Sequence, residues 1–379
     1  MTIKNITILG SGIMGHGIAQ VSAMAGYKVF LRDIEQKFLD KAMEKIKWSL
    51  QKLAEKNKIS DNQVEIFYNN ITPIVDLQAS INNTDLIIEA VPEDFKLKEK
   101  VYGQLNDLTK EETIFASNTS TLPITELSKL TNRPQNFIGV HFFNPPQLMK
   151  LVEVIPGKDT NESVIKDLTN YVNTLDKHPV ICNKDVPGFI VNRVFIPLVH
   201  EALYILEREK ASKDIVDSAV KFDLDFPMGI FELADYTGLD VIYKASYEMN
   251  LRDKKVLLMH PTVKEMYDRN ELGQKSGKGF YEYKGEKYER VNLTEDKAAM
   301  YEPLSILGVA ANNAAWLVEN GVCTVQDLNI ALKLGLGLKT EIFELVKKQG
   351  PDKVVSKLKE LESKYGDFYH PQQYLESIR

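Results

Sequence analysis

The chain has 379 residues, of which 44% are hydrophobic and 26% are charged, a composition that predicts a soluble globular protein with two or more domains. Its formal net charge of −6 argues against general affinity for nucleic acid, so we expect no nucleic-acid partner. The most apolar long run, residues 189–206, contains Asn192, Arg193, His200 and Glu201. Such a run does not predict a membrane span, and we expect no membrane partner.

The two cysteines, Cys182 and Cys323, are too few for a disulfide framework and are typical of a reducing compartment. A β-prone segment begins at Ile3, which leaves no length for a cleaved targeting peptide. We therefore expect a cytoplasmic protein. We expect no metal ion in its site.

A strand, a glycine-rich turn and a helix are predicted at the start of the chain, over residues 3–25. The glycines permit a tight turn and let backbone amides approach a pyrophosphate at the helix N-terminus. A second predicted strand ends at Asp33, 23 residues after Gly10 (33 − 10), where a carboxylate can bind the adenosine ribose and disfavour a 2′-phosphate. The pattern predicts an NAD site formed by Gly10, Gly12, Ile13, Met14, Gly15 and Asp33.

A lysine-rich helical hairpin is predicted over residues 34–68, inserted where an ordinary crossover would be shorter. Its lysines include Lys37, Lys41, Lys45, Lys47, Lys52 and Lys56. A solvated helix face and a cationic arm that binds a polyphosphate both agree with this pattern.

Alternation of strands and helices then resumes, which predicts an α/β fold. Strands are predicted over 71–75, 85–91, 113–117, 137–143, 148–155 and 178–182, with helices over 95–108 and 163–175. The segment from Asn183 to Gly188 predicts a domain boundary, after which the pattern is helical. Polar residues 285–297 predict a linker before a last helical segment.

Two groups of polar side chains follow predicted strands. Ser117-Asn118-Thr119-Ser120 ends one strand, where open α/β sheets bind ligands, although for this segment alone a helix cap before Pro123 is the better interpretation. His141 ends another strand, and Glu153 lies on the next, after the breaker Asn144-Pro145-Pro146. If they meet across the turn, the carboxylate orients the imidazole and raises its basicity, as a general base requires. The alternative is a structural histidine beside an unrelated strand glutamate.

These motifs occur together and in order: GSGIMG at 10–15, SNTS at 117–120, HFFNP at 141–145, Glu153, and PGFIVNR at 187–193. The chain thereby closely resembles the L-3-hydroxyacyl-CoA dehydrogenase family over residues 1–285. The resemblance implies a Rossmann-type domain over 1–186 followed by an all-α domain over 187–290. It also implies NAD as cofactor and an acyl-CoA as substrate, with 3-hydroxybutyryl-CoA as a short-chain example, oxidised or formed in reverse.

Site residues follow from the same resemblance. His141 matches the catalytic histidine, Glu153 its carboxylate partner, Ser120 a serine near the substrate oxygen and Asn192 an active-site asparagine. Positions that match the family's nicotinamide contacts are Glu93, Lys98 and Asn144, and we add Asn118 to the cofactor residues. Ser49 and Lys56 match the contacts of the helical arm with the nucleotide end of coenzyme A.

A second copy of the helical domain is predicted over 295–379. At an offset of 112 (319 − 207), residues 207–242 align without gaps with 319–354, and Ile230-Phe231-Glu232-Leu233 falls on Ile342-Phe343-Glu344-Leu345. Asn192 falls on Leu304, so the copy is degenerate and should replace the second subunit of family dimers by packing alone. The alternative is chance similarity between amphipathic helices.

Two other functions share these motifs in part. One is a dehydrogenase of a free hydroxy acid, similar to gulonate dehydrogenase, against which the lysine arm with Ser49 and Lys56 argues. The other is a non-catalytic, crystallin-like protein that binds NAD. The intact site residues argue against it: His141, Glu153, Ser120 and Asn192.

Overall fold

One sheet organises the first half of the chain. In this computed structural model, which describes residues 3–284 and 290–379, its strands are β1 Asn5–Leu9, β2 Lys28–Arg32, β3 Ile71–Ile74, β4 Leu86–Glu89, β5 Ile114–Ser117, β6 Phe137–Phe142, β7 Leu151–Pro156 and β8 His178–Ile181. Their order across the sheet is β3-β2-β1-β4-β5-β6-β7-β8. Strands β1 to β6 pair in parallel, β7 is antiparallel to β6, and β8 is parallel to β7. The parallel part has the strand order of a doubly wound dinucleotide-binding fold.

Helices cover this sheet. They are α1 Ile13–Met24, α2 Gln36–Glu55, α3 Asp61–Asn69, α4 Leu77–Ile81, α5 Phe95–Asn106, α6 Ile124–Ser128 and α7 Glu162–Thr174. Helix α2 buries an apolar stripe of Leu39, Met43, Ile46 and Leu50, a spacing that keeps one helix face on the core. Helix α3 begins after a capping box formed by Ser60 and Gln63. Helices α2 and α3 cover most of residues 34–68, for which a helical hairpin is predicted, and α2 packs on the core through its apolar stripe.

The chain divides into two units, Met1–Asp185 and Val186–Arg379, and the second is helical. Its helices are α8 Val191–Arg208, α9 Lys213–Asp223, α10 Ile230–Thr237, α11 Leu239–Arg252, α12 Pro261–Asp268, α13 Glu295–Ala298, α14 Leu304–Glu319, α15 Val325–Leu336, α16 Ile342–Gln349, α17 Pro351–Tyr365 and α18 Gln373–Ser377. The predicted fold class, a Rossmann-type domain followed by a helical part, is confirmed.

Helix starts in the second unit recur at a constant distance. Helices α9, α10 and α11 begin at 213, 230 and 239, and α15, α16 and α17 begin 112 residues later, at 325, 342 and 351. Gly238 and Gly350 end α10 and α16 with φ of 101° and 93°, a backbone conformation that favours glycine. Helix α8 packs against α14, its counterpart. These regularities support the predicted repeat, whose bounds of 187–290 and 295–379 stay a prediction.

The predicted linker differs from the structure in one respect. Residues 285–289 lie outside the described residues, but Glu295–Ala298 forms the short helix α13, where a connection without regular structure was expected. The Thr294 side chain accepts a hydrogen bond from the Lys297 backbone and caps this helix. Two acidic residues in its first turn add to the stabilisation of its N-terminus. In the described parts of both units, no helix has the length and apolar character needed to cross a membrane.

A buried carboxyl lies on α8, the helix that packs on α14. Glu201 is 2% exposed, and the Tyr369 hydroxyl donates to its Oε2 over 2.6 Å. Burial raises the pKa of Glu201 to about 7, although Tyr369 and the nearby Arg208 act in the opposite direction. Position 313 (201 + 112) carries Asn313, so the counterpart helix has a neutral amide there.

We predict that Glu201→Gln flattens the pH dependence of stability. The folded state keeps a proton on Glu201 that the unfolded chain releases near its ordinary pKa of 4.5, so the free energy of unfolding falls as pH rises from there to about 7. The loss is at most about 3 kcal/mol. Melting temperatures of wild type and variant between pH 4.5 and 8 measure it, with the exposed Glu344→Gln as control. Equal pH dependence in wild type and Glu201→Gln would contradict the prediction.

Candidate active site

The glycine-rich turn leaves space in front of α1. Gly10 has a φ of +96°, and a Cβ at Gly15 would lie 1.7 Å from the Gly10 carbonyl oxygen, so both positions require glycine. A Cβ at Gly12 would meet nothing within 4 Å, and the first turn of α1, which starts with Ile13 and Met14, contains no acidic residue. There is thus open space in front of the backbone amides at the N-terminus of α1, and no acidic side chain in its first turn would repel a phosphate. This environment fits the pyrophosphate of a dinucleotide.

Asp33 lies beside this turn. Its Oδ2 accepts hydrogen bonds from the backbone nitrogen and the hydroxyl of Ser11, over 2.7 and 2.6 Å. The neighbouring Arg32 donates instead to the Val75 carbonyl, over 3.2 Å. The carboxylate is therefore held at the turn where the adenosine ribose of NAD would bind.

His141 and Glu153 are direct neighbours across the antiparallel β6–β7 pair. The His141 Nδ1 and Glu153 Oε2 atoms are 2.7 Å apart, and the two residues are 5% and 0% exposed. The Phe143 ring lies 4.6 Å from the imidazole, centre to centre. A carboxylate at Nδ1 favours the tautomer that carries its proton there and its lone pair on Nε2. This is the geometry of an oriented general base.

Glu93, whose side chain is 23% exposed, forms an ion pair of 3.2 Å with the buried Lys98. One Glu93 oxygen also accepts hydrogen bonds from the Thr119 hydroxyl and from the Ser120 backbone, the latter over 3.0 Å. Burial disfavours the ionised form, but the charge of Lys98 and these hydrogen bonds outweigh it and hold the pKa of Glu93 below its ordinary value. Glu93 therefore fixes the loop that carries Ser120.

Asn118 joins the ends of two neighbouring strands. Its Oδ1 accepts a hydrogen bond of 3.0 Å from the Phe142 backbone, one residue after His141. The helix-cap interpretation of this segment is wrong, because α6 begins only after Pro123 and has no side-chain cap. The loop after β5 thus lies beside the end of β6.

Lys98 has a second carboxylate partner, Glu89, which was not among the predicted site residues. Glu89 ends β4 with 0% exposure, and its Oε1 lies 2.7 Å from the Lys98 ammonium. Its Oε2 accepts from the Ser117 and Tyr102 hydroxyls, over 2.8 and 3.0 Å. Burial lowers the pKa of Lys98, but the charges of Glu89 and Glu93 and their hydrogen bonds outweigh burial. The pKa of Lys98 therefore lies above its ordinary value. The signal in the sequence was the charged Glu89 within the apolar run LIIEAV at 86–91, because a buried charge requires a partner.

The other predicted site residues are Asn144, Asn192, Ser49 and Lys56. Asn144 is exposed just after β6, and Asn192 is the second residue of α8, in the other unit. Ser49 borders a cavity of about 280 Å³ on α2, and Lys56 is exposed at the end of that helix. Contacts within the first unit join His141 to Glu153, Glu93 to Lys98 and the Ser120 backbone, and Asn118 to the strand that carries His141.

Family models match both units of the chain. The model of the 3-hydroxyacyl-CoA dehydrogenase NAD binding domain matches residues 5–186. The model of the C-terminal domain of that family matches twice, over residues 188–283 and 305–378.

Curated relatives and solved structures carry related names. The chain is 42% identical over 290 residues to the mitochondrial hydroxyacyl-coenzyme A dehydrogenase of Sus scrofa, covering 74% of this chain and 92% of that protein. It is 40% identical over 278 residues to a probable 3-hydroxybutyryl-CoA dehydrogenase of Deinococcus radiodurans, covering 73% and 99%. The structure of 3-hydroxybutyryl-CoA dehydrogenase from Escherichia coli K12 superposes with a TM-score of 0.88 at 26% identity, covering 99% and 98%. With its NAD-binding turn, the chain therefore belongs to the 3-hydroxyacyl-CoA dehydrogenase family of NAD-dependent oxidoreductases.

Proposed function

We propose that the protein interconverts a short-chain (S)-3-hydroxyacyl-CoA, such as 3-hydroxybutyryl-CoA, and the matching 3-ketoacyl-CoA. The observation that carries this proposal is the 2.7 Å contact between His141 Nδ1 and Glu153 Oε2, both buried at the ligand-binding edge of the sheet. NAD, when bound, supplies the acceptor for the hydride that leaves C3 of the substrate.

His141 handles the proton of this reaction. In oxidation, Nε2 accepts the proton of the 3-hydroxyl group while the C3–H bond gives its electron pair to the cofactor. In reduction, the imidazolium returns that proton to the oxygen. Glu153 stabilises the imidazolium formed between these events, because its carboxylate lies at Nδ1.

Ser120 and Asn192 orient the substrate. The Ser120 backbone is held by Glu93, so its hydroxyl projects from an anchored loop and is suited to bind the reacting oxygen. Asn192 is assigned to the thioester carbonyl by its place in the PGFIVNR motif. Glu93, Lys98, Asn118 and Asn144 are assigned to the nicotinamide half of the cofactor.

Coenzyme A is proposed as the carrier because of the arm formed by α2. Ser49 and Lys56 are seven residues apart (56 − 49), about two helical turns, and so project from the same side. Among the described residues Lys56 forms no ion pair, which leaves its ammonium available to a phosphate. The second candidate is a dehydrogenase of a free hydroxy acid, which would have no use for this arm. A cytoplasmic location stays a prediction.

We predict that His141→Gln and Glu153→Gln each lower turnover of acetoacetyl-CoA with NADH by ~10²-fold or more, because each removes part of the positioned base. The dissociation constant of NADH should stay within about twofold, since neither residue forms the glycine-rich turn. Steady-state rates and fluorescence titration measure the two quantities.

Two exposed residues of the same unit provide matched controls. His178→Gln and Glu162→Gln make the same chemical changes at exposed positions of β8 and α7 and should retain wild-type turnover. Wild-type rates in His141→Gln or Glu153→Gln would remove that residue from the mechanism. Faster wild-type turnover of free acetoacetate or L-gulonate than of acetoacetyl-CoA would favour the second candidate.

Lys56→Ala should raise the KM for acetoacetyl-CoA by about tenfold, the scale of one charge-assisted hydrogen bond to phosphate. The KM for acetoacetyl-pantetheine, which lacks the nucleotide, should not change. Lys41→Ala removes another exposed lysine about 22 Å away along α2 and is the control. An equal rise for both substrates would mean that the lysine arm is only a solvated helix face.

We also propose that residues 295–379 act as an internal replacement for a dimer partner. Packing of α8 on its own counterpart α14 supports this, because a two-fold dimer brings equivalent elements together. We call helices α8 to α12 the first series and α14 to α18 the second series. The second series has Leu304 and Ser305 where the first has Asn192 and Arg193, so it provides a packing surface and no second site.

Deletion of residues 295–379 should therefore cause self-association. The truncated protein would expose the side of α8 that packs on α14 in the full chain, and Glu201 and Arg193 on this helix would lose Tyr369 and Trp316. Sedimentation velocity of both proteins at equal concentration measures the effect. A truncated protein that remains a soluble, stable monomer would contradict the internal-partner proposal.

A further inference from the structure

An arginine and a tryptophan from the two helix series stack on each other inside the second unit. The Arg193 guanidinium carbon lies 3.4 Å from the centre of the Trp316 ring, and Arg193 is 4% exposed. Arg193 is the third residue of α8, and Trp316 is near the end of α14. The start of α8 is therefore held against the end of its counterpart by a cation–π contact.

The same start of α8 carries Asn192. It follows a segment in which Gly188 has a φ of 79° and Phe189 a φ of 52°, an uncommon conformation for a phenylalanine. The Arg193 backbone nitrogen donates to the Gly188 carbonyl over 3.0 Å, which closes the turn before the helix. A left-handed residue of this kind persists only where its surroundings hold it, and Arg193 is joined to both the turn and Trp316.

The repeat is asymmetric at this contact. At the offset of 112, Trp316 corresponds to Tyr204 and Arg193 to Ser305. Both helices thus carry an aromatic residue at this position, but only α8 carries the cation. The cation adjoins Asn192, whereas its counterpart Ser305 adjoins Leu304. Arg193 of α8 therefore stacks on Trp316 of α14, whereas the counterpart Ser305 has no charge that could stack on Tyr204.

We propose that Trp316 is a positioning residue for the reaction, acting through Arg193 to hold Asn192 at the angle that the substrate requires. This inference rests on the proposed function, since it takes Asn192 as a substrate-binding residue. It assigns to the second helix series a part in catalysis, besides its packing. The stack also borders a cavity of about 480 Å³, so neighbouring groups do not fill the space that a smaller side chain at 316 would leave.

Trp316→Leu should lower kcat for acetoacetyl-CoA reduction by ~10-fold or more, because small misplacements of a substrate-positioning group are costly. The dissociation constant of NADH should not change. Trp316→Phe, which keeps a ring face for the guanidinium, should recover most of the rate. Tyr204→Leu removes the corresponding aromatic residue without touching Arg193, and should lower the melting temperature but keep kcat.

A nitroxide label tests the geometry without relying on activity. In an Asn192→Cys background the native cysteines are buried, at 0% for Cys182 and 4% for Cys323, so the label attaches at position 192. We expect a more mobile spectrum after Trp316→Leu and an unchanged one after Tyr204→Leu. A lower melting temperature with unchanged kcat and unchanged label mobility in Trp316→Leu would overturn the inference. A wild-type protein without activity on acetoacetyl-CoA would instead refute the proposed function, and the label would still decide on Trp316.

Discussion

The buried ammonium of Lys98 is the constraint on which the candidate active site depends. It lies 2.7 Å from Glu89 at the end of β4 and 3.2 Å from Glu93 in the loop that follows. A buried charge is tolerated only when it is paired, and removal of one partner typically costs 3 to 5 kcal/mol. Because Glu93 also binds the backbone of Ser120, one cluster of charges joins a strand, a helix and the loop proposed to contact substrate. One charge cluster therefore holds both the residues proposed to contact the cofactor and the loop proposed to contact the substrate.

The helical unit contains the same arrangement of helices twice, and we propose a different role for each copy. Equal spacing of helix starts and the packing of α8 on α14 preserve the backbone pattern, which depends mainly on buried apolar positions. Polar positions are not constrained in this way, and Asn192 and Glu201 correspond to Leu304 and Asn313. Because α14 has the neutral Asn313 where α8 has Glu201, only one of the two helices buries a carboxyl at this position. The polar groups remain in the series that the family motif assigns to the substrate.

Local patterns in the sequence predicted most of the elements. The glycine-rich turn, the strands of the sheet and the α2–α3 hairpin depend on backbone conformation and periodicity, which neighbouring residues determine. Helix α4 was missed because its five residues are too few for a periodic pattern, and only Asp76, its N-cap, marks it. Helix α13 was missed because its polar composition is typical of a connection. Short elements are stabilised by contacts that a local pattern does not contain.

Some features of the candidate site follow from the sequence, and others follow only from the tertiary structure. By itself the sequence determined the NAD-binding turn, the α/β class, the resemblance to the family and the identity of His141 and Glu153 as candidates, since motif order and spacing are properties of the chain. Only the tertiary structure decided that these two residues face each other at 2.7 Å, because their meeting depends on β7 reversing direction beside β6. It likewise decided that Glu89 is the partner of Lys98 and that Arg193 stacks on Trp316. Charges and rings find partners by proximity in space, and residues 123 positions apart (316 − 193) show no sign of that proximity in the sequence.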